Sequence, residues 1–259
     1  MELGLQGRRA VVTGASKGIG LAIVRALVDE GVHVIAGART SSPELETLAA
    51  AGSVEVVTVD LATADGPATL IAQAGDRLDI LVNNVGLAAV RLAGFLEISD
   101  EQWSRSINLN LMAAVRATRA ALPIMLTAGR GVIINTGSVN AFLPDPAVLD
   151  YSAAKAAVTN FAKSISKEFG PRGIRVNTVT PGPVETDLWL GDKGVAATVS
   201  RASGANPEDV ARNAVASTAT GRFSTPGEVA DLVVLLASDR TANVTGSSVT
   251  IDGGLISTI

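Results

Sequence analysis

The stretch RAVVTGASKGIG, Arg9–Gly20, decides the fold. Its first half, Arg9–Thr13, reads as a short strand, and its second half opens a helix over Gly18–Glu30. Between them, Gly14, Gly18 and Gly20 remove Cβ atoms where the chain turns tightly and where backbone can approach an anion. The helix that follows offers unpaired N–H groups and a positive dipole end to a pyrophosphate. The spacing is not G-x-G-x-x-G, and no Gly-Lys-Ser/Thr follows as in a P-loop. On its own the stretch is also compatible with a plain tight turn and close helix packing.

Reading outward, the same strand–helix alternation continues to the C-terminus. Strand-like runs are Arg9–Thr13, Val32–Ala38, Val54–Asp60, Ile80–Val82, Val132–Asn135, Arg175–Thr180 and Ser248–Ile251. They are short, rich in Val and Ile, and apolar on both faces, as strands of a parallel sheet covered on both sides are. Helical stretches are Gly18–Glu30, Pro43–Ala51, Thr63–Ala74, Asp100–Leu126, Tyr151–Phe169, Pro207–Ala216 and Pro226–Ala237. Ser99 or Asp100 caps one of them, and Thr225-Pro226 puts proline in a first turn. Such alternation predicts βαβ units with right-handed crossovers. One long irregular region, Pro181 to about Asn206, follows a strand end and is expected to be a substrate lid, at about 183–206.

Composition removes several function classes. The 259 residues fit one α/β domain, and 47% hydrophobic residues argue for a folded chain. A formal charge of −4 gives no reason to expect a nucleic-acid or anionic-membrane partner, since both want a basic face. No apolar run approaches the ~18 residues that span a bilayer. The start, MELGLQGRRAVV, lacks a basic segment followed by an apolar one, so no secretory leader is expected. Cysteine is absent, which excludes disulfides and thiol nucleophiles, and a cytoplasmic location is expected. The one histidine, His33, lies inside VHVIA and reads as a packed strand residue, so neither a His-based triad nor a metal site is expected.

Specific side chains carry the chemistry. The second strand ends Ala38-Arg39-Thr40-Ser41. A carboxylate at that tip would bind the 2′-hydroxyl of NAD, whereas arginine suits a 2′-phosphate. Arg39, with Lys17 as a second cation, therefore predicts preference for NADP(H), with NAD(H) possible. Asp60, at the end of the third strand, is placed either to accept from an adenine amino group or to cap a helix. Tyr151, the only tyrosine, and Lys155 are four apart and share a helix face. Ser138 follows the fifth strand, at the end of a parallel sheet where ligands bind.

With these residues in view, the chain resembles the short-chain dehydrogenase/reductase family over nearly its whole length. The resemblance rests on TGASKGIG, NNVG (Asn83–Gly86), Ser138, YSAAK (Tyr151–Lys155), Pro181-Gly182 and Asp252-Gly253-Gly254, in that order. Val85 departs from the usual NNAG. The resemblance implies a single-domain Rossmann-type doubly wound fold over 1–259, with a seven-stranded parallel sheet. It implies that Tyr151 is the general acid/base and that Lys155 lowers its pKa from the ordinary ~10 and holds the nicotinamide ribose. Ser138 would hold the substrate oxygen. Asn110, seven residues after Trp103, would hold a water linking Lys155 to solvent, with Asn108 its competitor. Gly14, Ser16, Lys17, Gly18, Ile19, Gly20 and Arg39 would bind the dinucleotide from the first two strand ends. Asp60, Leu61, Asn84 and Gly86 would do so from the next two, and Gly182, Val184 and Thr186 would bind the carboxamide.

Substrate-facing candidates are Asn140, Phe142, Leu143, Leu149, Leu188–Leu190 and Leu87–Leu92. They are mostly apolar, which points to a neutral carbonyl or alcohol. The resemblance is strongest to 3-oxoacyl-[acyl-carrier-protein] reductase-like enzymes, but Arg130 and Arg172 do not make the basic patch that a carrier protein wants. Two other readings are a non-catalytic NADP(H)-binding sensor or scaffold and a halohydrin dehalogenase on the same fold. The intact Tyr151, Lys155 and glycine loop weigh against both. Alanines along Asp100–Leu126 and Tyr151–Phe169 allow close helix approach, and in the family the matching helices pack between subunits, so a homotetramer is expected.

Overall fold

The computed structural model describes residues 2–258. Its strands are β1 (Arg9–Thr13), β2 (His33–Ala38), β3 (Val54–Thr58), β4 (Ile80–Asn83), β5 (Gly131–Thr136), β6 (Ile174–Pro181) and β7 (Ser248–Ile251). All pairs are parallel, in the order β3-β2-β1-β4-β5-β6-β7. The order reverses between β1 and β4, which opens a crevice at the C-terminal ends of those strands.

Strand register explains why each strand is apolar on both faces. Val11 pairs with Ile35 and Leu81, Leu81 with Ile133, and Ile133 with Val176. This row packs on one face, against Leu70, Ile71, Ala117, Ala121 and Met125. The next row, Ala36, Val12, Val82 and Ile134, points the opposite way, to Ile23, Val24, Leu27, Val229 and Val233. Side chains alternate across a strand, so a doubly covered sheet needs apolar residues at every position. The second face is covered by α1 (Gly18–Asp29), α2 (Pro43–Ala50) and α10 (Pro226–Ala237). The first is covered by α3 (Gly66–Ala72), α5 (Ala113–Ala128) and α6 (Leu149–Phe169).

Three expectations change. The helix expected over Asp100–Leu126 is α4 (Asp100–Ile107), a π-turn over Asn108–Met112, and then α5. In the π-turn, Ala113 N–H reaches back five residues to the Asn108 carbonyl, and that register shift is invisible to a 3.6-residue periodicity. By length and composition the Asp100–Ala128 run is apolar enough to cross a membrane, contrary to the sequence reading. Its apolar side chains, including Ala117, Ala121 and Met125, pack inside the sheet-helix core. Finally, the supposedly irregular region is ordered as α7 (Asp187–Leu190) and α8 (Val195–Ser203), followed by α9 (Pro207–Val215). Gly191 and Gly194 crowd the Asp187 carbonyl, each with an ideal Cβ 2.7 Å from it, and this tight turn breaks the helical pattern in sequence.

Leu27 is fully buried on α1 and belongs to the core between α1, α10 and the sheet. Leu27→Ala is expected to lower unfolding free energy by about 2–5 kcal/mol in urea denaturation, with the slope unchanged.

Candidate active site

The crevice is a cleft of about 1700 Å³. It brings together Gly14, Ser16, Lys17, Gly18, Ile19 and Gly20 from the first loop, and Arg39, Asp60 and Leu61 from the ends of β2 and β3. Asn84, Gly86, Ser138, Tyr151 and Lys155 line it from β4, β5 and α6, and Gly182, Val184 and Thr186 from the end of β6. Asn110 is not in the lining. It lies behind the wall, 2% exposed.

At the nucleotide side, Gly14 and Gly18 have φ of 68° and 53°, the left-handed region that other residues avoid. Gly20 has no room for a side chain: an ideal Cβ would lie 2.1 Å from the Gly14 carbonyl oxygen and 2.6 Å from Asn84 Nδ2. The start of α1 has no side-chain cap and no acidic residue in its first turn, so its leading N–H groups are free for an anion. Arg39 is exposed at the β2 tip, and Ser41 Oγ nearby is buried without a hydrogen-bond partner. Sequence reasoning passed over Ser41, whose lack of a partner is a tertiary fact. Lys17 is drawn the other way, 3.5 Å from Asp187 on α7, with both side chains exposed. Asp60 Oδ1 accepts from Ala62 N–H at 3.0 Å, so one of its oxygens holds a turn. These features fit a dinucleotide with a phosphate at the β2 tip.

At the other side, α6 presents Tyr151 and Lys155 on one face, with Nζ 5.6 Å from the phenol ring centre. Lys155 Nζ donates to the Thr136 carbonyl at 2.7 Å. Burial lowers the Lys155 pKa to about 8. Burial also pushes the Tyr151 phenol up, and the Ser138 hydroxyl facing it draws it part of the way back. Desolvation, rather than the lowering expected from Lys155, sets the direction of the shift. Ser138 Oγ donates to Asn140 Oδ1 at 3.1 Å and accepts from Asn140 N–H at 3.2 Å.

The two asparagines part company at the π-turn. Asn108 Oδ1 accepts from Arg116 at 3.1 Å. Asn110 faces inward: Oδ1 accepts from Leu87 N–H at 2.9 Å, and Nδ2 donates to the Leu87 carbonyl at 3.0 Å. Gly86 sits between Asn110 and Lys155, its ideal Cβ 2.9 Å from Asn110 Oδ1 and 3.3 Å from Lys155 Nζ.

Of the substrate candidates, Asn140, Leu143, Leu87, Ala88, Val90, Leu188 and Trp189 line the cleft. Phe142, Leu149, Leu190, Ala89, Arg91 and Leu92 do not. Lining residues that sequence reasoning missed include Val148, Val199, Val210, Asn213 and Ser217. Most of these arrive on α8 and α9, whose return over the cleft leaves no local sequence signal.

Comparisons with known proteins agree with this geometry. The family described as short chain dehydrogenase matches residues 8–193. A 3-oxoacyl-[acyl-carrier-protein] reductase of Vibrio harveyi is 36% identical, covering 98% of this chain and 99% of that one. An L-xylulose reductase of Bos taurus is 34% identical, covering 100% of both. The L-sorbose reductase of Gluconobacter frateurii, solved with NADPH and L-sorbose, superposes with a TM-score of 0.91 at 32% identity over 100% of both chains.

The Lys155 shift has a stability consequence. Between about pH 8 and pH 10 the folded chain has released the Lys155 proton while the unfolded chain keeps it. The unfolded state then binds more protons, so stability rises with pH. Unfolding free energy should climb between pH 7.5 and 9.5 by an amount of order 1–3 kcal/mol, and Lys155→Met should remove that climb in denaturant titrations.

Proposed function

Because the chain belongs to the short-chain dehydrogenase family, we propose that it is an NADP(H)-dependent oxidoreductase that interconverts a neutral ketone or aldehyde and the corresponding alcohol. The observation that carries this reading is the pairing, in one cleft, of an anion-ready helix start and Arg39 with the Ser138, Tyr151 and Lys155 cluster. β2, which Arg39 follows, and β5, which Ser138 follows, are three strands apart, about 14 Å at the usual strand spacing. That span suits a dinucleotide laid across the strand ends.

When bound, NADP(H) supplies or accepts the hydride. The residues of the chain manage position and protons. The glycine loop and the start of α1 hold the pyrophosphate, and Arg39 with Ser41 Oγ grips the 2′-phosphate. Lys155 holds the ribose hydroxyls. Tyr151 gives its hydroxyl proton to the substrate oxygen in reduction and takes it back in oxidation. A buried phenol with a raised pKa stays protonated at neutral pH, and the Lys155 ammonium eases the transfer by stabilising the phenolate left behind. The Ser138 hydroxyl, held by Asn140 N–H, turns its proton from Asn140 Oδ1 to the substrate oxygen and steadies charge there. Asn110 faces Gly86 beside Lys155, where it would hold a water that links Lys155 to solvent.

The substrate half supports a neutral compound. Its charged lining residues beyond Lys155 are Asp145, Glu185 and Asp187, all acidic, among many apolar ones. A carboxylate or phosphate would meet like charge there. Arg130 and Arg172 precede β5 and β6, at the opposite end of the strands from the cleft, so neither offsets this within the chain. The segment 183–206 serves as the lid. Trp189 packs edge-on against Phe223 with ring centres 5.7 Å apart, and Val184 bridges to Ser224.

Fluorescence titration with NADPH and NADH tests the cofactor reading. NADPH should bind much the tighter, and Arg39→Ala should weaken NADPH binding alone, by about tenfold or more. Tyr151→Phe should keep NADPH binding but lose roughly a thousandfold or more in ketone turnover. Equal affinity for NADH would sink the 2′-phosphate assignment. The chain is further expected to form a homotetramer, and light scattering that returns only a monomer at micromolar concentration would refute this.

A further inference from the structure

One buried ion pair in the chain has no part in the chemistry above. Asp150, in the first turn of α6, directly precedes Tyr151, and its side chain is only 1% exposed. Arg91 reaches it from the loop between β4 and α4 with two prongs. Nη2 lies 2.5 Å from Oδ2, and Nε lies 3.4 Å from Oδ1. The Arg91 side chain is itself 14% exposed. A carboxylate this far from water needs such a partner, and a planar guanidinium contacting both oxygens fixes orientation as well as charge.

The main chain repeats the connection. Arg91 N–H donates to the Ala147 carbonyl at 2.7 Å. The same loop is held at its other end by Asn110, which bonds both backbone groups of Leu87. Between these two anchors, Leu87, Ala88 and Val90 line the cleft. On the α6 side, Ala147 and Val148 line it. The ion pair therefore joins two walls of the substrate half at the residue next to the proposed proton donor.

We propose that Arg91 and Asp150 form a clamp that sets the spacing of these two walls and the entry of α6, making them positioning residues for the carbonyl beside Tyr151. The inference rests on the oxidoreductase reading above. A wall displaced by a fraction of an ångström costs substrate alignment but leaves the distant dinucleotide side untouched.

Three variants test it. Asp150→Asn removes the charge at nearly constant shape. Arg91→Lys keeps the charge but loses the fork. Arg91→Leu with Asp150→Leu replaces the pair by apolar side chains, an exchange that buried pairs often tolerate in folding. Each is expected to bind NADPH as the parent does, while KM for a ketone rises about tenfold or more and kcat changes less, with Arg91→Lys the mildest. Amide hydrogen exchange reads the clamp without substrate. Leu87 and Arg91 should exchange faster in every variant, and the amides of α1 should not. Unchanged KM and unchanged exchange at 87–91 in folded variants would overturn the proposal. So would a parallel loss of NADPH affinity, KM and protection throughout the chain. If the parent turns over no ketone, the reaction reading fails, and exchange alone decides the clamp.

Discussion

The end of the sheet is held by one polar knot, and the site depends on it. Thr13 Oγ1 accepts from Asn84 N–H at 2.9 Å and Val85 N–H at 3.1 Å, and it donates to the Val82 carbonyl at 3.2 Å. Asn84 Nδ2 donates to the carbonyls of Thr13 and Gly14, each at 3.1 Å. Thr136 Oγ1 donates to Asn84 Oδ1 at 3.3 Å, and Lys155 donates to the Thr136 carbonyl. The bonds run from the glycine loop through β4 and β5 to α6. Polar groups at the end of a doubly covered sheet must be satisfied, and here their mutual satisfaction holds the nucleotide loop at a set distance from Lys155. Gly20 is part of the same knot, because a side chain there would strike both Gly14 and Asn84.

Desolvation shapes the other half. One environment brings the Lys155 ammonium down to about 8 and pushes the Tyr151 phenol up. The two shifts have opposite signs because burial disfavours the charged form of each group. Lys155 remains mostly an ammonium at neutral pH, so it can act on a phenolate once one forms. Tyr151 stays protonated at neutral pH, because burial raises its pKa.

The outer walls are assembled from segments distant in sequence. The loop after β4 is tied to Asn110 at one end and to Asp150 at the other. The segment after β6 folds as short helices, and its Asp187 reaches Lys17 of the glycine loop. Both halves of the cleft are thus bounded by contacts that cross the chain, and a substrate meets surfaces set by several elements at once.

The sequence by itself determined the doubly wound sheet, the glycine loop and the helical pairing of Tyr151 with Lys155. Each is a local pattern: apolar runs for strands buried on both faces, glycines where Cβ has no room, a four-residue spacing on a helix. Val11 and Val12 could be assigned to a strand because their environment depends on strand parity alone. What only the tertiary structure decided were matters of long-range proximity. It gave Asn110 and Asn108 different partners, Leu87 and Arg116, across a π-turn that local spacing does not show. It ordered 187–203 as helices, because Gly191 and Gly194 interrupt a periodicity that packing restores. It reversed the expected Tyr151 shift, since burial is a property of the folded surroundings. It also joined Arg91 to Asp150, a pair that sequence spacing could not propose because its strength comes from exclusion of water by the rest of the fold.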